Sequence, residues 1–182
     1  MEPGSEDLRV RISMDEWGDF VLHLAIDEDA TAIHLADGCF SFEHFIVWLK
    51  TVEVEHRTQT YPIDEEGPDK EIMIAPLRDG GHVRFQVVDL SSSGTACLQG
   101  ILEKKQCIAA FKKEIRSFFA DRFDHEKFRG YINPRGLAVS LMEYFGEEGL
   151  TRLYPEGNKA SSEIEPLPHL GERTLADPWL SE

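Results

Sequence analysis

Residues 8–36 read LRVRISMDEWGDFVLHLAIDEDATAIHLA, and their alternation decides the fold class. Leu8, Val10, Ile12 and Met14 fall on one side of an extended chain, with Arg9, Arg11 and Ser13 on the other. Phe20, Leu22, Leu24 and Ile26 repeat the pattern. Successive side chains of a strand point to opposite faces, so a period of two marks a strand with one buried face. Asp15-Glu16-Trp17-Gly18 has the composition of a turn. Asp27–Ala30 predicts a four-residue polar connection, after which Thr31 to Ala36 resume strand character as a hairpin partner.

Downstream the period changes. Phe42, Phe45, Ile46, Trp48, Leu49 and Val52 recur at helical spacing and predict a helix over 42–52. Strands follow near Glu53–Tyr61, Glu71–Leu77, Val83–Val87 and Thr95–Leu102, separated by an acidic turn at Asp64–Asp69 and a Gly80-Gly81 hairpin turn. Ile108, Phe111, Ile115, Phe118 and Phe119 line one face of a long helix over 104–123. Asn133-Pro134, a capping residue followed by proline, opens a third helix over 134–145. Strands in runs, rather than alternating with helices, indicate an α+β fold. The expectation is a mostly antiparallel sheet of five to seven strands with two or three helices packed on one face. Residues 1–154 form this single domain. Residues 155–182, with four prolines and little periodicity, read as an extended or disordered acidic tail. Leu175, Pro178, Trp179 and Leu180 break that polarity, as an apolar cluster that docks on the chain's own domain or on a partner.

Charge narrows the function classes. Acidic side chains number 34 and basic ones 19, for a net charge of −15. Phosphate attraction needs an excess of Lys and Arg, so general nucleic-acid binding is excluded as an expectation. No apolar run reaches the roughly 18 residues of a spanning helix, and the N-terminus lacks a basic-then-apolar leader, so no membrane role and a cytoplasmic location are expected. Three cysteines (Cys39, Cys97, Cys107) form no spaced framework and suit a reducing compartment. The acids concentrate early: residues 15–79 hold sixteen acids and four bases, whereas residues 80–135 hold six acids and ten bases. Such asymmetry governs association and solubility rather than fold.

The charge pattern leads to the main functional expectation. It is a non-catalytic cytosolic protein-binding module that presents an acidic surface to a basic protein partner, of inhibitor or immunity type. The surface comprises the two acidic turns, Asp27, Glu28 and Asp29 in the first and Asp64, Glu65, Glu66 and Asp69 in the second. A homodimer through an uncovered sheet face or edge strand is a further reading.

Catalytic signatures are absent from the sequence. The Ser91-Ser92-Ser93-Gly94 run lacks a nucleophile elbow, and there is no glycine-rich phosphate cradle. Asp27-x-Asp29-x-Thr31 opens like a calcium loop but has Ala32 at the sixth position and Gly38 at the twelfth. One alternative class remains, a small enzyme or metal-dependent binder. With Asp27–Ala30 as the loop, His23 and His34 face each other across the hairpin, where two imidazoles would form half of a zinc site. No cofactor is expected, and no residue is assigned a catalytic role.

Overall fold

Among the described residues, seven strands and two long helices follow one another as β1 (Leu8–Met14), β2 (Phe20–Ile26), β3 (Asp29–Leu35), α1 (Phe42–Val54), β4 (Gln59–Ile63), β5 (Lys70–Pro76), β6 (His82–Asp89), β7 (Thr95–Glu103) and α2 (Lys104–Asp121). A 3-10 turn, Pro178–Ser181, lies near the C-terminus. The structure, a computed structural model, describes residues 6–16, 18–35, 42–63, 70–91, 94–124 and 175–181. The expected helix at 134–145, the acidic turn at 64–69, Cys39 and tail residues 155–174 lie outside the described residues.

The α+β class holds, and every strand pair is antiparallel. The single sheet does not. The strands form a three-stranded sheet, β1-β2-β3, and a four-stranded sheet, β4-β5-β6-β7. Each strand pairs with its neighbour in the chain, as short connections favour. Helix α1 separates β3 from β4, and the meander breaks at that point. The sheets meet where Glu6 N–H donates to Ile101 O (3.4 Å) and Ile101 N–H donates to the Glu6 carboxylate (2.9 Å). Gly100 permits this approach: a Cβ there would overlap the Glu6 carboxylate and lie 3.0 Å from Ile26 Cδ1.

Both sheets and both helices feed one hydrophobic core. Phe20, Leu22, Leu24, Ile26, Ile33 and Leu35 come from the first sheet, and Ile72, Ile74, Val83, Phe85, Val87, Leu98 and Leu102 from the second. From α2 come Cys107, Ile108, Phe111, Ile115, Phe118 and Phe119, all buried, at the three- and four-residue spacing of one helix face. Phe111 joins three elements: its ring centroid lies 5.7 Å from that of Phe45 on α1 and 6.3 Å from that of Phe85 on β6. Phe20 of β2 meets Phe118 edge-on at 5.6 Å. Such geometries suit the ring quadrupole and add to the burial of area.

Two polar devices set the helices against the sheets. At the start of α2, Lys104 is buried, and its Nζ donates to Glu55 O (2.9 Å), just beyond the end of α1. A cation at the carbonyl end of a helix opposes the negative pole of the helix dipole. Further along, α2 covers the outer edge of β1. Ile12 N–H donates to Glu114 Oε1 (2.6 Å), Arg122 Nη1 donates to Ile12 O (3.0 Å), and Arg122 Nη2 reaches Glu114 Oε1 (2.7 Å). One carboxylate and one guanidinium thus stand in for a missing neighbouring strand.

The β2–β3 connection also departs from expectation. Ile26 pairs with Asp29, so the loop is Asp27-Glu28, two residues instead of four, and Asp29 and Ala30 belong to β3. Asp27 takes a φ of +51°, a left-handed conformation that Asp tolerates better than most residues, and this lets the chain reverse in two steps.

Candidate functional site

The tight turn places three carboxylates at the tip of the β2–β3 hairpin. Asp27, Glu28 and Asp29 are all exposed. The turn is braced from below, where Arg9 Nη2 on β1 donates to the Asp27 carbonyl oxygen. That contact uses the backbone and leaves the carboxylates out. Among the described residues, the side chains of Asp27, Glu28 and Asp29 make no ion pair, whereas other acids are engaged. Glu114 pairs with Arg122 (2.7 Å), Glu53 with Lys112 (3.4 Å), Asp177 with Lys50 (2.7 Å) and Asp79 with His82 (2.7 Å). The Asp79 carboxyl is held below its usual range, first by the backbone N–H of His82 and then by its ring.

Asp64, Glu65, Glu66 and Asp69 fall outside the described residues, but the ends of their segment are fixed. Ile63 pairs with Lys70, so the segment joins adjacent antiparallel strands. Lys70 Nζ donates to Ala32 O of β3 (2.9 Å). The anchor of the second acidic segment therefore touches β3 three residues along from Asp29.

The histidines are arranged differently from the expected facing pair. His23 lies opposite Ala32, and His34 opposite Val21. The two-residue loop shifts the partner of each by two positions, which keeps both on the outer face but makes them diagonal neighbours. Diagonal β-carbons lie roughly 7 Å apart, against about 5 Å for a facing pair. His23 instead faces Arg11 on β1, and its Nε2 is 2.9 Å from Ser13 Oγ. Among the described residues, no three His, Cys, Asp or Glu side chains come together in a way that would hold a metal ion.

Three buried titratable groups, His44, Tyr61 and Cys107, are pushed towards their neutral forms. Burial lowers His44 to about 4 and raises Cys107 to about 12, and it pushes the Tyr61 hydroxyl well above its ordinary value. An open depression of about 260 Å³ beside β1 is lined in part by Arg11, Ser13, Met14, Arg122 and Asp124. Its Arg122 is already engaged by Ile12 and Glu114. Ser13 in this lining is the residue whose hydroxyl lies 2.9 Å from His23 Nε2, an exposed pair.

A second constellation lies at the C-terminal apolar cluster, for which docking on the chain's own domain was one of the two readings the sequence offered. Pro178–Ser181 forms a 3-10 turn whose Trp179 and Leu180 pack on the domain. Trp179 and Leu180 are buried, the Trp179 indole N–H donates to Glu53, and Lys112 Nζ sits 4.3 Å over the Trp179 ring. The apolar cluster in a polar tail was the available signal, but nothing in its spacing pointed to Lys50, Glu53 or Lys112. No helix among the described residues is long and apolar enough to cross a membrane. Comparison with protein-family models, with curated proteins and with solved structures found no match for this chain.

Proposed function

We propose that this chain is a non-catalytic protein-binding module that offers an acidic surface to a basic protein partner, in the manner of an inhibitor or immunity protein. The observation that carries this reading is the state of the hairpin tip. Asp27, Glu28 and Asp29 stand together, exposed and without ion pairs among the described residues, while Glu53, Glu114 and Asp177 are paired with the chain's own cations. Lys70, which follows Asp64–Asp69 in the chain, donates to Ala32 O of β3, and this supports reading the two acidic stretches as one surface. A fixed turn also costs less ordering on association than a loose loop would.

Charge of this kind acts through the encounter. Complementary potentials speed diffusional association and are screened by salt, while dissociation is set by short-range contacts. The test is capture of partners by the wild-type chain and by the Asp27→Asn/Glu28→Gln/Asp29→Asn variant, with association and dissociation rates measured for whatever basic protein is retained. Neutralisation should slow association by about tenfold or more and leave dissociation nearly unchanged. Retention of the same partner at the same association rate by the variant, or an association rate insensitive to salt, would overturn the proposal.

A further inference from the structure

Residues 177–180 lie in the groove between α1 and α2, and their polar and apolar groups meet counterparts there. Asp177 Oδ2 accepts from Lys50 Nζ at 2.7 Å, and Asp177 Oδ1 accepts from Trp179 N–H at 3.0 Å. Pro178 follows at the first helical position, where its fixed φ and missing N–H cost nothing. The Trp179 indole N–H donates to the Glu53 carboxylate, and its ring receives the Lys112 ammonium. Lys112 also pairs with Glu53 at 3.4 Å, so Glu53 and Lys112 hold each other in place around the indole. Leu180 is 2 % exposed. An indole held by both its N–H and its face, beside a buried aliphatic side chain, has the make-up of an interface anchor.

We propose that this groove is a peptide-recognition site for a segment of the pattern Asp-x-Trp-aliphatic carried by a partner protein, with the chain's own Asp177–Leu180 as its resident competitor. These contacts fall within four consecutive residues, so the set is open to any chain bearing the pattern. Two lysines flank the groove in a protein of net charge −15, a local reversal of sign that selects an acidic segment. This surface differs from the hairpin tip in both location and charge.

The test uses the full chain and a fluorescently labelled peptide of the sequence Leu-Ala-Asp-Pro-Trp-Leu-Ser-Glu, residues 175–182. Binding is read by fluorescence polarisation for the wild type, Trp179→Ala and Asp177→Lys. The last substitution places a cation against Lys50 at a surface position and leaves the core intact, so it carries the test if Trp179→Ala fails to fold. A tethered competitor acts at up to roughly millimolar effective concentration, so both variants should bind the peptide about tenfold or more tighter than the wild type. Adding Lys112→Ala to either variant should weaken binding again, and a peptide with alanine in place of its tryptophan should not bind. Two cooperatively folded variants that bind the peptide no better than the wild type would overturn the proposal. Concentration-dependent dimerisation of the wild type, abolished by Trp179→Ala, would assign the groove to a second copy's tail and overturn the partner assignment.

Discussion

Removing the Glu114 carboxylate isolates the contribution of the α2–β1 clamp. Ile12 is 1 % exposed, so in Glu114→Ala its N–H loses its partner where water is scarce. A hydrogen bond to a charged group contributes about 1.5–3 kcal/mol, and orphaning the buried donor costs about the same bond rather than a further one. The Glu114–Arg122 pair adds about 0–1 kcal/mol, because its side chains are 14 % and 33 % exposed and partly screened. The expected loss is about 2–3 kcal/mol. Urea unfolding followed by tryptophan fluorescence should show it as a midpoint lowered by about 1 M at unchanged slope, given slopes of about 1–3 kcal/mol/M. Glu114→Gln keeps an acceptor and should lose about half as much. Glu114→Ala with Arg122→Ala should fall short of the sum of the single losses, because both act on the Ile12 peptide group. A Glu114→Ala midpoint equivalent to less than about 0.5 kcal/mol would refute the assignment of the clamp.

Gly100→Ala should destabilise by about 1–3 kcal/mol in the same assay, since its methyl group meets Glu6 and Ile26 at the junction of the sheets. His44 makes stability depend on pH. The unfolded chain takes up a proton near the ordinary value of 6.5, but the native imidazole, desolvated, resists until about 4. Its contribution is therefore complete above 6.5 and is lost as pH falls towards 4, by on the order of 2–3 kcal/mol. Urea midpoints of wild type and His44→Leu at pH 7.5 and pH 4.5 should differ in slope with pH, with the variant the flatter.

Periodicity made the individual elements readable. The alternation of Leu8 to Met14 and of Phe20 to Ile26 marked strands, and the spacing of Ile108 to Phe119 marked the buried face of α2. Assembly of the elements was less legible. Hairpin connections look alike whether the next strand extends a sheet or begins another, so the break at α1 left no local trace. The composition of Asp27–Ala30 indicated a loop, yet the left-handed conformation of Asp27 shortened it, and the partners of His23 and His34 moved by two positions. Lys104 and Lys112 of α2 and Arg122 just beyond it are committed to Glu55, to Glu53 and Trp179, and to Ile12 and Glu114. Long-range ion pairs of this kind depend on tertiary placement, which one-dimensional spacing does not encode. The exposure of the Asp27 and Glu28 carboxylates, by contrast, followed from their position in a polar turn.

The clamp on β1 has a further consequence for how the protein behaves in a crowded solution. A bare outer strand is a template on which other chains can stack, backbone to backbone, into fibrils. With Ile12 satisfied from within, an incoming strand would have to displace an internal carboxylate and guanidinium before it could dock. Loss of either side chain should therefore show itself as shorter shelf life as well as easier unfolding.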